Sequence, residues 1–274
     1  MNVLSVAGFV FREFLLQRIT LLLIAALVIL LLIFTFTVHI VVADGKTVSI
    51  SILNGNPISG ENAHLMAQLF TESLSSLGFV SVLVLCIIST AGLVPEMFAR
   101  GTMVFLLTKS LPRLSILLGI FAGAVGAFAA IQVLAYGTFW VILSMKVGSF
   151  EPFFLTFILP SVVSFASVFS MMLLLSILLR SVSVIASLAL FHVVVLSELL
   201  AARESIPSTG FLYSAIRQVA NVLYYALPQA AGLLDSAKRI ALGKAFPVQP
   251  YLFSCLSAML LFLLSWLSFR RKDI

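Results

Sequence analysis

The sequence is short of charge. Only 9% of its residues are Asp, Glu, Lys or Arg, against about 25% in an ordinary soluble domain. So few charges cannot cover the surface of a soluble fold. With 62% hydrophobic residues, a disordered chain is excluded as well. Cysteine is rare. Cys86 and Cys255 lie in separate apolar runs, so they read as small packing residues and not as a disulfide. Tryptophan numbers 2 against 24 Phe, a balance that suits lipid-facing helices better than polar sites. No GxxxxGK[ST] loop and no GxSxG elbow occurs, so neither ATP hydrolysis through a phosphate loop nor α/β-hydrolase chemistry is expected of the chain itself. His39, His64 and His192 have no ligand partner three or four residues further along the chain, and no metal site is expected. No acidic pair falls inside an apolar run, which argues against a membrane protease or glycosyltransferase.

What the sequence does have is long apolar runs. Six occur, over about 19–42, 73–94, 114–143, 152–179, 184–201 and 251–268. A bilayer-crossing helix needs about 20 apolar residues. The expected fold class is therefore an all-α membrane protein with six transmembrane helices. The first run is too long for the core of a signal peptide, so no cleaved leader is expected. Pro160 is expected to kink the fourth span.

Residues 1–18 form the first segment, and 19–274 the membrane domain. On a helical wheel Val3, Ala7, Val10 and Phe14 make one stripe, joined by Leu4, Phe11 and Leu15. Ser5, Arg12, Glu13 and Gln17 lie opposite. This predicts an amphipathic helix in the interface plane, or else an extension of the first span. Residues 44–71 are polar, with turn chemistry at Asn54-Gly55-Asn56-Pro57. Between spans five and six, 202–250 is mixed. It predicts short helices over 211–225 and 230–242, broken at Pro228, that either dip into the bilayer at its outer face or lie on its surface. Non-helical backbone at depth requires protein cover.

The net charge of +6 is spread over these segments and is not a nucleic-acid patch. Arg12, Arg18, Arg100, Lys109, Arg113, Arg180, Arg270, Arg271 and Lys272 fall on one side. Lys46, Lys146, Arg203, Arg217, Lys238, Arg239 and Lys244 fall on the other, most of them in one long loop. Charges in short flanks weigh most. The 95–113 segment and the basic tail therefore predict both termini in the cytoplasm.

Ionisable groups within spans are candidate sites by default. His192, Glu198 and His39 are the three here. His192 and Glu198 are six residues apart and do not share one helix face. Interhelical hydrogen bonding and a proton relay both remain open, and Gln132 reads as packing glue. The 95–113 segment reads as a short helix from Thr102 to Leu111, with Gly101 breaking the chain before it and Pro112 ending it. Met103, Leu106, Leu107 and Leu111 lie at helical spacing on one side. It is either a docking element for a cytoplasmic partner or an amphipathic loop in the interface.

Arg100-Gly101-Thr102-Met103-Val104-Phe105-Leu106-Leu107-Thr108-Lys109, followed by Pro112-Arg113, resembles the segment after the second span in ABC-2 type exporter permeases. The tail Phe269-Arg270-Arg271-Lys272-Asp273-Ile274 is similar to their basic ending. Leu223-Tyr224-Tyr225-Ala226-Leu227-Pro228 resembles their aromatic-Leu-Pro signature before the last span. The resemblance implies the transmembrane half of an ATP-driven exporter in a bacterial inner membrane. Such a chain forms its path as a dimer with an identical or related chain. It docks a separate ATP-binding cassette subunit, which binds the ATP, so the chain itself carries no cofactor. The docking residues implied are Glu96, Arg100, Gly101, Thr102, Met103, Leu106, Leu107, Lys109 and Arg113. The cargo is not legible. A secondary transporter and a membrane scaffold or assembly subunit, neither with an ATP partner, remain open as other classes.

Overall fold

In a computed structural model the described residues are 3–43, 46–52, 58–59, 61–99, 101–102, 106, 112–147, 153–179, 181–205, 211–241 and 244–271. They form an all-α membrane protein with one small sheet at one end. Five helical stretches are long and apolar enough to cross a bilayer: Ser75–Ala99, Arg113–Ile142, Leu155–Leu179, Val182–Ala201 and Val248–Arg271.

The N-terminal helix, α1 (Val3–Leu16), buries Val6, Val10 and Phe14 completely. These recur every four residues and form one stripe. Val6 belongs to it, whereas Leu4, expected on the apolar face, is 83% exposed. The stripe lies on the first third of α5 (Arg113–Val147). There Gly119 and Gly123 leave no room for side chains. A Cβ at Gly119 would come within 2.6 Å of the Val6 Cβ, and one at Gly123 within 2.5 Å of the Ala7 carbonyl oxygen. Small residues four apart are what allow such backbone approach between helices in lipid.

A bend at Gln17 separates α1 from α2 (Arg18–Thr37). The Ser89 hydroxyl donates to Gln17 Oε1 at 2.8 Å. It therefore accepts from Thr20 Oγ1, 2.6 Å away, and the relay pins the bend to α3 (Glu61–Ala91). The first expected span ends earlier than 42. Helix stops at Thr37, and strands follow: β1 (Val38–Ala43), β2 (Lys46–Ile52) and β3 (Ile58–Ser59), antiparallel in the order β1-β2-β3. Val38 pairs with Ile52 and Ala43 with Lys46, with a bulge between Val41 and Val42. The polar stretch after the first span thus contains a sheet that the sequence reading does not anticipate. Residues 53–57, which include Asn54-Gly55-Asn56-Pro57, lie outside the described residues.

After Gly92 the chain continues as α4 (Leu93–Ala99). The fourth span begins with a 3-10 turn at Phe153–Phe157 and continues as α6 (Ile158–Leu179). Pro160 is the third residue of α6. It occupies the first helical turn, where a missing backbone N–H costs nothing. The fifth span is α7 (Val182–Phe191), a π-helical segment His192–Leu196 and α8 (Ser197–Ala201). The π segment is marked by the Ser197 N–H donating to the His192 carbonyl. Then come α9 (Phe211–Ala226) and α10 (Ala230–Ala241), within a turn of their expected bounds, and α11 (Val248–Arg271).

The core lies where α6 meets α5, α10 and α11. Both α6 and α11 bury many serines: Ser161, Ser164, Ser167, Ser170 and Ser176 on one, Ser254, Ser257 and Ser265 on the other.

Candidate functional site

Two places combine irregular backbone with polar side chains. One is the end of the bundle that holds α1 and α4. Gly101 has φ 71°, a left-handed conformation that glycine adopts without strain, and its N–H donates to the Phe98 carbonyl at 3.2 Å. It ends α4, as the sequence predicts. Phe9, Val10, Glu13 and Gln17 line a small open cleft of about 30 Å³ together with Leu93, Glu96, Met97 and Thr102. The cleft joins the N-terminal segment to the start of the 95–113 segment. Glu96 is exposed and Thr102 half-buried. Leu106 turns inward and is 4% exposed. It belongs to the chain's own core. Arg100, Met103, Leu107, Lys109 and Leu111 lie outside the described residues, and with them most of the expected Thr102–Leu111 helix.

Arg113 closes this end. Its guanidinium donates to the carbonyls of Phe269 at 3.0 Å and Arg270 at 2.9 Å, and it lies 5.9 Å from the centre of the Phe269 ring. A cation on the last carbonyls of a helix satisfies free acceptors and opposes the negative end of the helix dipole. The start of α5 is thereby fastened to the end of α11. Phe98 meets Phe269 edge-on at 6.2 Å, which adds α4 to the same cluster.

The second place is the hairpin of α9 and α10. Its tip, Leu227–Gln229, is irregular and Pro228 and Gln229 are buried, so freed backbone groups need partners. Side chains of the last two spans supply them. His192 Nε2 is 3.0 Å from the Pro228 carbonyl. A carbonyl only accepts, so Nε2 carries the proton. The Ala231 N–H donates to Ser197 Oγ at 2.7 Å, and the Gln229 N–H to Ser254 Oγ at 3.3 Å. Gln229 Nε2 turns back to the Tyr224 carbonyl at 3.0 Å. At the base of the hairpin, Arg203 donates to Asn221 Oδ1 at 3.1 Å and to the Leu200 carbonyl at 3.3 Å. Its guanidinium lies 3.5 Å from the centre of the Tyr224 ring, a cation–π contact.

Of the three intramembrane candidates, His192 is buried in this tether and Glu198 is exposed on the other face of the span. The structure does not bring them together. His39 lies in β1 opposite Ser51, and its side chain is outside the described residues. Among the described residues no group of three His, Cys, Asp or Glu could hold a metal ion. The sequence reading missed Ser197, Ser254 and the pair Gly119 and Gly123. Only the glycines carried a signal, their four-residue spacing. No family model matches the chain, and no curated protein matches it.

Proposed function

We propose that the chain is the membrane-spanning half of an ATP-driven exporter of the ABC-2 type. It works as a dimer with an identical or related chain, with a separate subunit binding and hydrolysing the ATP. It crosses a bacterial inner membrane six times, α2 being the first span, with both termini in the cytoplasm. The observation that supports this reading best is the cleft shared by α1, α4 and Thr102. A subunit seated there touches the N-terminal segment and the segment after the second span at once. Movement of that subunit then has two rigid routes into the membrane. One runs from α1 into α5 through the close contacts at Gly119 and Gly123. The other runs from the 95–113 segment through Arg113 to the end of α11. Both act by tilting packed helices as rigid bodies.

The test is affinity purification of the detergent-solubilised chain with its native partners. A co-purifying ATP-binding subunit, with ATPase activity above that of the subunit alone, is expected. Glu96→Lys, which inverts an exposed charge at the cleft, should weaken that association while leaving membrane insertion intact. A chain that purifies without any ATP-binding subunit overturns the proposal and favours the scaffold reading. Orientation is checked separately: a cysteine near Asn54 should be labelled from outside in sealed right-side-out cells, and one at residue 272 should not.

A further inference from the structure

The seam between α5 and the fourth span holds buried polar atoms that have no hydrogen-bond partner among the described residues. Two ring pairs set its register. Phe128 stacks on Phe165 with centroids 4.2 Å apart, and Tyr136 stacks on Phe157 at 6.0 Å. The pairs are eight residues apart on each segment, in opposite senses. The segments therefore run antiparallel, and residue 132 falls midway, opposite residue 161. Residue 132 is a glutamine with no exposure at all. Neither its amide oxygen nor its amide nitrogen is hydrogen-bonded among the described residues. Ser161 is equally buried. Its hydroxyl donates to the Ile158 carbonyl at 2.7 Å, so its lone pairs are still able to accept. One turn along, Ser164 is fully buried and its hydroxyl has no partner among the described residues.

By this register Gln132 and Ser161 stand across the seam from each other, and Ser164 lies one turn along from Ser161. An amide buried without hydrogen bonds is costly, and more so where lipid replaces water outside. A leucine at 132 would avoid that cost, so the glutamine implies something to bond. The ring pairs are separated by about 12 Å of helix, and serine, the smallest hydroxyl side chain, stands opposite the glutamine. The donor set also identifies the occupant. It is neutral and mixes donors (Gln132 Nε2, Ser164 Oγ) with acceptors (Gln132 Oε1, Ser161 Oγ). An ion would want one kind only, whereas water bonds both, typically to two to four buried groups.

We infer that Gln132, Ser161 and Ser164 form a buried water site, closed at its two ends by the Phe128–Phe165 and Tyr136–Phe157 pairs. The site does not depend on the exporter reading. It is tested by thermal unfolding of the purified chain in one detergent. Gln132→Met keeps the shape of the side chain and removes its polar atoms. If water bridges the seam, this variant should lower the midpoint by about 2 to 4 °C, the scale of one such bond in a chain of this size. Ser164→Ala should lower it too, and the double variant should fall no further than the larger single effect, because both remove the same bridge. A midpoint that rises in Gln132→Met overturns the inference, since that is the response of an amide buried dry. Strictly additive single effects overturn it as well. Should a variant fail to fold, the unsubstituted chain decides. With glutamine side chains labelled with nitrogen-15, the Gln132 amide should show a magnetisation-transfer cross-peak to water, and its absence overturns the site.

Discussion

Where α1 lies on α5, Val6 and Val10 meet bare backbone at Gly119 and Gly123; where α6 lies on α11, both helices carry buried serines, and most of their hydroxyls turn back onto their own helix. Ser167 donates to the Ser164 carbonyl, Ser170 to Ala166, Ser176 to Met172, Ser257 to Ser254 and Ser265 to Leu261. Each of these five hydroxyls is satisfied within its own helix. The serines of this second seam are therefore used for their size, as the glycines are in the first, and not as glue between helices. The hairpin tip differs from both. There Ser197 and Ser254 accept backbone N–H groups that have lost their helix. The same residue type is a spacer in one seam and an obligatory partner in the other. What decides is whether the neighbouring backbone is already bonded.

That contrast can be broken in order of expected effect. The largest belongs to the glycine seam. Gly123→Val drives a side chain into the Ala7 carbonyl and Val10, and overpacking of this kind costs roughly 1–3 kcal/mol or more. The expected outcome is release of α1, read as protease cleavage within residues 3–16 while α5 stays inserted. Unchanged protection of α1 would show that the seam is looser than the distances imply. The middle effect belongs to the tip. Ser197→Ala leaves the Ala231 N–H buried without a partner, at about 1–3 kcal/mol. Replacing His192 with Asn should likewise lower the thermal midpoint modestly and leave transport nearly intact. Loss of transport at full assembly would instead give His192 a chemical role. The smallest effect belongs to the spacers. Ser167→Ala or Ser170→Ala should change unfolding free energy by no more than about 0.5 kcal/mol. A drop as large as that of Ser197→Ala would mean that these hydroxyls bridge the helices after all.

Much of the architecture was legible before folding, because a bilayer demands long apolar helices and the runs declare themselves. Gly101 as a breaker, the α9 and α10 hairpin and its turn at Pro228 were readable from local chemistry. The sheet was readable too, but went unread. Asp44-Gly45 is a strong two-residue hairpin signal, flanked by the alternation Val48-Ser49-Ile50-Ser51-Ile52, and the apolar run through 42 masked it. The sites were far less legible. Nothing in sequence pairs His192 with Pro228, 36 residues away, or turns Leu106 inward.

Composition and periodicity by themselves determined that this chain is a bundle of membrane helices and which backbone must be covered. Tertiary structure alone decided which face of each helix is inside. In water the apolar face is the buried face and periodicity reveals it. In lipid both faces are apolar, so Val6 at 0% and Leu4 at 83% exposure look alike until a neighbour with glycines arrives. Burial is then settled by fit and by orphaned backbone groups, and both depend on residues far apart in the chain.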